Sequence, residues 1–385
     1  MLIINCHLIS PDIDMHSCAI CIEGSKIKSI YSAGSTLPND EHIIDAKGQM
    51  VMPGFIDVHC HGKVGFDFTD GTQEAMDTFG KSKLTEGVTT LLPTTLTLPE
   101  ETLAKAMHTA AMYVKNNTKG SKLAGVHLEG PFINCKLCGA QNPDFVRAPN
   151  IDEVKRLHSI FPVSKVSFAP EVDGGIEFSR QLRELGITPS CVHSAATFAE
   201  FSEAYTNGLR DLSHFCNQMT ALHHRDIGLV GAGFMHKDVY LEAICDCLHL
   251  SPDMVKLIFK LKSIDRIQLI TDAMCAAGLK DGDYQIGGLP VIVKGGAARL
   301  KSNDALAGST LELNQALKNV QEITNLPLKE LVKTTSWNQA CSLGLDKLGK
   351  LEAGFYADIV ILDYNFEIVS TIVDGELRYS QNGFT

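Results

Sequence analysis

The strongest constraint on this chain's fold is an alternation that runs through its middle. Eight short apolar runs, "GFIDVHCH", "TTLLPTT", "LAGVHLEG", "KVSFAP", "ITPSCVHS", "DLSHFCN", "YLEAICDCLHL" and "IQLITDAM", are separated by longer stretches. Several of those stretches carry helical patterning, among them "PEETLAKAMHTAAMYVKN", "DEVKRLHSIF", "EFSRQLREL" and "PDMVKLIFKLK". Parallel strands need a crossover between them, most often a helix, so the alternation predicts an α/β fold, a parallel (β/α)8 TIM barrel. An open doubly wound sheet is the alternative, but no Gly-rich dinucleotide fingerprint follows the first strand.

The two ends of the chain read differently. "LIINCHLI", "SCAICIEGSKIKSIYSAG" and "HIIDAKGQMVMPG" alternate short apolar runs with turns, and the same texture returns in "GKLEAGFYADIVILDYNFEIVSTIVDGELRY". These ends predict a small β-sandwich domain built from residues 1–52 plus 348–385, with a barrel catalytic domain over 53–347 inserted between them. The run "DYQIGGLPVIVKGGAARL" interrupts the barrel pattern and is read as an excursion beside the small β domain. A chain of 385 residues has room for both units and a large core.

Charge narrows the partners. With 34 Lys and Arg against 45 Asp and Glu the net charge is −11, and no basic cluster stands out. Nucleic-acid and anionic-membrane surfaces are therefore excluded as partners, and any phosphate must be held by a few local donors. The N-terminus lacks a basic region followed by a long apolar stretch, and no run approaches the length of a membrane span. Twelve scattered cysteines point to reduced thiols and a cytoplasmic setting. The one C-x-x-C, Cys135 to Cys138, has no second pair at zinc-ribbon spacing and is read as loop cysteines.

In such barrels the chemistry sits at the C-terminal ends of the strands. His59 and His61 end strand one; in an extended chain they face the same side while Cys60 faces away. His127 and Glu129 lie on strand three, His193 ends strand five and His214 strand six. Asp246 and His249 follow on strand seven, and Asp272 on strand eight. A single histidine there is ordinarily a satisfied core or loop residue. Imidazoles and carboxylates on six strand ends would each cost desolvation without a partner, and a shared divalent cation supplies one. Imidazole and carboxylate ligands without thiolate suit Zn, Fe or Mn, with one or two ions per subunit. His127 sits deeper and is read as a core or supporting group, and Cys60 and Cys216 as off-face.

The motifs carry a resemblance. "PGFIDVHCHG", "HLEGPF", the histidines ending strands five and six, and "TDA" on strand eight resemble the amidohydrolase superfamily. "GFDFTDGT", "GAQNPDF", "HFCNQMTALHHRDIGLVGA", "ICDCLHLSP", "LAGSTL" and "GKLEAGFYADIVILD" narrow the resemblance to the N-acetylglucosamine-6-phosphate deacetylase family, over nearly the whole chain. Hydantoinases and dihydroorotases share the layout but use a carbamylated lysine at the end of strand four. Here that strand ends "VSFAPE", and Glu129 takes the bridging place.

The resemblance implies that Glu129, His193 and His214 hold the principal metal and that His59 and His61 bind a second one, with Glu129 between. Some family members carry non-ligands at the His-x-His positions and a single metal. It makes Asp272 the general base toward water and then the general acid toward the departing amine. It gives substrate contacts to Ala140, Gln141, Asn217, Gln218 and His249, and to the closing loop at Leu306, Ala307 and Gly308. Arg225 is assigned to the sugar phosphate, reaching the neighbouring subunit's site in a homodimer. Departures cluster near the sugar: Gln141 stands where many relatives have histidine, Gln218 and Ala221 where alanine and glycine are expected, and Cys247 where glycine is usual. The implied reaction is hydrolysis of the acetamide of N-acetylglucosamine-6-phosphate, in amino-sugar catabolism or recycling. The rivals are deacetylation of N-acetylgalactosamine-6-phosphate or an unphosphorylated N-acyl sugar, and a catalytically silent sugar-phosphate-binding barrel.

Overall fold

The computed structural model describes residues 1–39, 42–116 and 119–381. Eight parallel strands succeed one another at Phe55–Cys60, Val88–Pro93, Val126–Glu129, Val163–Phe168, Thr188–Cys191, Asp211–Leu212, Tyr240–Ala243 and Ile267–Leu269. Neighbours pair in parallel register, and strands two and three meet at the Thr94–His127 bridge. The Asp272 N–H donates to His59 O at 2.8 Å and joins strand eight to strand one. The cylinder is closed, as the alternation predicts.

Each strand sorts its side chains by parity. Val126, Leu128, Val166, Phe168, Leu241 and Ala243 belong to the large apolar core between strands and helices. Their alternates His127, Glu129, Lys165, Ser167 and Glu242 fill the barrel interior and are all buried. Helices begin where the sequence offers a cap. Ser251 accepts from Met254 N ahead of Pro252–Leu261, and Thr197 with Glu200 forms a capping box ahead of Phe198–Thr206.

The buried interior charges are tolerable because they are paired. Lys165 Nζ contacts Glu242, and lies 3.3 Å from Asp211 Oδ1. Nearer strand one, Asp57 accepts from Lys83 Nζ at 2.9 Å and from Thr271 Oγ1 at 2.6 Å, and Glu86 joins Lys83 to Lys63.

Both termini contribute to a second sheet. Met50–Pro53 lies between Leu2–Ser10 and Ile359–Leu362, so strands from opposite ends of the chain are hydrogen-bonded neighbours. One face packs its own core, with Val51, Ile359 and Ile361; the other, with Met50, Met52, Val360 and Leu362, packs on the barrel. Ile27 N–H also donates to Phe355 O, so the sheet folds over its core. The expected sandwich is thus one hydrogen-bonded sheet enclosing a core.

The excursion is a three-stranded antiparallel sheet over Gly282–Ile286, Leu289–Lys294 and Ala297–Leu300. It does not sit beside the terminal sheet. Its apolar residues Ile286, Val291 and Leu300 cluster with Leu96, Met274 and Ala307, which places it at the barrel mouth. The run's alternating pattern identifies strands but carries no information about which neighbour they cover.

Candidate active site

Four histidines from three strands of the barrel converge on Glu129. His59 Nε2 and His214 Nε2 lie 3.3 and 3.2 Å from Oε1, His193 Nε2 lies 3.5 Å from it, and His61 Nε2 lies 3.3 Å from Oε2. Asp272 Oδ1 is 3.2 Å from His61 Nε2 and 3.5 Å from His59 Nε2. His193, His214 and Asp272 all have positive φ, of 43°, 31° and 49°. That conformation costs a non-glycine residue about 1 kcal/mol or more. It turns three side chains out of their strands and into the mouth, at positions where side-chain direction matters more than local backbone comfort.

The hydrogen bonds behind three of the rings settle which nitrogen faces the centre. His59 Nδ1 is 2.9 Å from Glu242 Oε2, His193 Nδ1 is 2.7 Å from Leu137 O, and His61 Nδ1 is 3.3 Å from Thr94 O. Each of these partners only accepts, so each Nδ1 carries the proton and each Nε2 presents a lone pair inward. The inward atoms then face carboxylate oxygens or one another: His193 and His214 Nε2 are 3.3 Å apart, and His59 Nε2 has no hydrogen-bond partner. Lone pairs converging on lone pairs are satisfied by protons or by a cation. The same demand appears in the ionisation directions. Burial opposes a charged His61, but its hydrogen bonds to the Asp272 and Glu129 carboxylates outweigh it and lift its pKa to about 10. Burial likewise opposes ionised Glu129, yet His59 and the neighbouring imidazoles hold it well below the usual carboxylate range. Glu129, His193 and His214 form one ligand-sized group, and His59, His61 and Glu129 another. This donor set fits one or two divalent cations.

His127 belongs to the core, as its depth implies. Its Nε2 bonds Ser167 Oγ at 2.6 Å and its Nδ1 bonds Val58 O at 3.1 Å. Burial drives its pKa well below the ordinary value, with His59 and Lys165 adding to the effect, and keeps the ring neutral. Cys60 is buried off the face, its thiol pushed up to about 12 by burial.

A cavity opens above the cluster, walled by Ala140, Gln141, Asn217, Gln218, His249, Leu306 and Gly308. Gln141 does more than line it: its Nε2 donates to Glu129 Oε2 at 2.5 Å, and its Oε1 accepts from Thr97 N–H at 2.6 Å. His249 is held by Asp246, whose Oδ2 meets Nδ1 at 2.7 Å. Asp246 thus orients a cavity residue rather than joining the cation cluster. Gly308 has φ +61, and a Cβ there would stand 3.0 Å from Asp272 O, so the loop can pass this close only as glycine.

Ala307 and Arg225 do not line this chain's own cavity. Ala307 is buried in the apolar cluster of the excursion with its N–H bound to Ala298 O, so Leu306 and Gly308 make the wall instead. Arg225 is exposed, hydrogen-bonds His224 at 2.9 Å, and is not part of its own chain's cavity wall.

Sequence reading missed the supports. Glu242 orients His59, and Glu171 ties the turn after His193 by accepting from Ser194 Oγ and Ala195 N–H at 2.6 Å each. The available signal was parity: Asp57, Lys165 and Glu242 are charges inside apolar strands, each on the face that carries the site.

The chain matches the model of the amidohydrolase family over residues 50–378. It is 36% identical over 341 residues to an N-acetylglucosamine-6-phosphate deacetylase from Lysinibacillus sphaericus, covering 88% of each chain. It is 35% identical over 338 residues to an N-acetylgalactosamine-6-phosphate deacetylase from Escherichia coli O157:H7, covering 87% of this chain and 89% of that one. Among solved structures, N-acetylglucosamine-6-phosphate deacetylase from Thermotoga maritima superposes with a TM-score of 0.90 at 37% identity, over 99% of this chain and 100% of that one.

Proposed function

Because this chain belongs to the amidohydrolase family, within its N-acetylglucosamine-6-phosphate deacetylase branch, we propose that it hydrolyses the acetamide of N-acetylglucosamine-6-phosphate to glucosamine-6-phosphate and acetate. The observation that carries this reading is the set of inward-facing Nε2 atoms around Glu129 with Asp272 beside them. Lys165 Nζ, the strand-four lysine, is held by Glu242 and Asp211 inside the barrel, which leaves the bridging place to Glu129.

Glu129, His193 and His214 would hold the principal divalent ion, and His59 and His61 a second, with Zn²⁺ the first choice for this donor set and Fe or Mn alternatives. Such an ion supplies Lewis acidity, polarising an acyl oxygen and making water acidic enough to react near neutrality. Asp272 then does the proton work. It accepts the proton of the attacking water as oxygen adds to the acetamide carbon, and returns it to nitrogen as the C–N bond breaks. Amines leave poorly unless protonated, so both transfers are needed. His249, Asn217, Gln218, Ala140 and the Leu306–Gly308 segment would contact the sugar.

Arg225 would hold the phosphate of a neighbouring subunit's substrate in a homodimer. Its exposure and its lack of a place in its own cavity support that reading. A cytoplasmic setting is supported by twelve cysteines that are all free thiols. No helix among the described residues is long and apolar enough to cross a membrane.

Acetate release tests the proposal, with the 6-phosphates of N-acetylglucosamine and N-acetylgalactosamine and the plain sugars compared. The E. coli relative makes the galacto-sugar the informative comparison. Hydrolysis should favour the gluco-phosphate, stop on chelation and return with Zn²⁺. Undiminished release from metal-free protein would overturn the mechanism. Arg225→Ala should raise KM for phosphorylated sugar; equal rates on plain sugar with an unharmed variant would remove the phosphate assignment.

A further inference from the structure

A second group of imidazoles and carboxylate lies in the terminal sheet and shares no residue with the barrel cluster. His7, Asp14 and His16 bring their ligand atoms within 4.8 Å of one another. The sequence builds this group with a bulge. Cys6 pairs with Cys18 and Leu8 with Met15, so His7 alone opposes His16 and Ser17, and Ser17 takes φ 57°. The extra residue swings His16 over His7, their rings stacked at 3.8 Å with an 18° interplanar angle. Asp14, two residues earlier on the same strand, shares the face of His16.

His7 is held from both sides. Tyr364 Oη lies 2.9 Å from its Nδ1 and 3.1 Å from Gly48 O, and Asp14 Oδ1 lies 2.8 Å from its Nε2. Nitrogen and oxygen ligands each about 2 Å from one ion stand about 3 Å apart, so the imidazole and the carboxylate are spaced to share a small cation. His7 is buried, whereas His16 and Asp14 are exposed and free to turn toward a shared ion.

We propose that His7, Asp14 and His16 form a separate site for a divalent late first-row transition ion of the zinc class. Tyr364 orients its buried ligand, and a fourth position is left for solvent. The ion would tie the first two strands of the chain across their bulge, and Tyr364 would link that tie to the C-terminal part of the same sheet. The inference does not depend on the proposed activity.

The test is equilibrium dialysis of the holoenzyme against buffered low-micromolar free Zn²⁺, with metal counted per chain. Wild type should retain one Zn²⁺ more than Asp14→Asn and His16→Ala, with the variants binding that ion about tenfold or more weakly. Both substitutions lie on the exposed rim and outside the catalytic machinery, so deacetylase rates should be unchanged. Zinc should raise the Tm of wild type more than that of either variant, while Tm values in chelator should agree. Equal metal content in all three proteins, or an extra ion that persists in both variants, would overturn the site.

Discussion

Glu242 Oε2 accepts the His59 Nδ1 proton at 2.9 Å, reaching from strand seven to strand one across the barrel. The same carboxylate holds Lys165, so one buried group serves both His59 and the interior charge network. Glu242→Gln should keep the chain folded, because Lys165 retains Asp211. It should weaken retention of the second ion by about 10–100-fold, the usual cost of losing the group behind a ligating histidine. Metal content after graded chelation measures this. Unchanged retention would reduce Glu242 to a purely structural partner.

Asp272→Asn removes the proposed proton acceptor while preserving shape. A kcat lower by about 10²–10⁴-fold is expected, with metal content and KM close to wild type. Steady-state kinetics beside metal analysis separate this from loss of the ion.

Gln141 touches Glu129 from one end and Thr97 from the other. Gln141→Ala frees Glu129 Oε2 and leaves the Thr97 N–H without its acceptor, at a stability cost of about 1–3 kcal/mol. A role limited to the sugar would raise KM alone. A role in aligning the ligand should lower both kcat and metal retention, which kinetics and competition with a chelator distinguish.

His236 offers a pH test away from the candidate metal cluster. Burial against Phe198, Phe201 and Tyr205 lowers its pKa below the ordinary 6.5. The unfolded chain therefore binds a proton more readily than the folded one between the lowered value and 6.5. Stability contributed at this position is lost as pH falls through that window and is flat above it. His236→Gln should remove the dependence: the Tm difference between variant and wild type should be constant above pH 7.5 and shift toward the variant between pH 6.5 and 5. A pH-independent difference would show that the ring titrates normally.

The parts legible in the sequence were those written in a short period. Strand–helix alternation gave the barrel, and period-two parity put His59 with His61 and set Cys60 aside. What was not legible depends on pairing between distant strands. His59 and Glu242 are 183 residues apart, and Lys165 and Glu242 are 77 apart. A charge inside an apolar run announces that a partner exists without saying which. The excursion at 282–300 was readable as strands but not as part of the mouth, because its apolar face fits Leu96 and Met274 as well as it would fit a sheet. Ala307 was placed by motif; its burial in the cluster with Met274 and Ile286 follows from the excursion, where its N–H donates to Ala298 O.

The seam between Met50–Pro53 and Ile359–Leu362 has a consequence for synthesis of the protein. Strand one leaves the ribosome with one edge of its supporting sheet still untranslated, and about three hundred residues must follow before that neighbour exists. His59, six residues beyond the seam, therefore acquires its final scaffold only as the last part of the message is read. A stalled or truncated transcript should thus yield a chain that contains every ligand of the barrel cluster and still lacks the frame that sets the first of them.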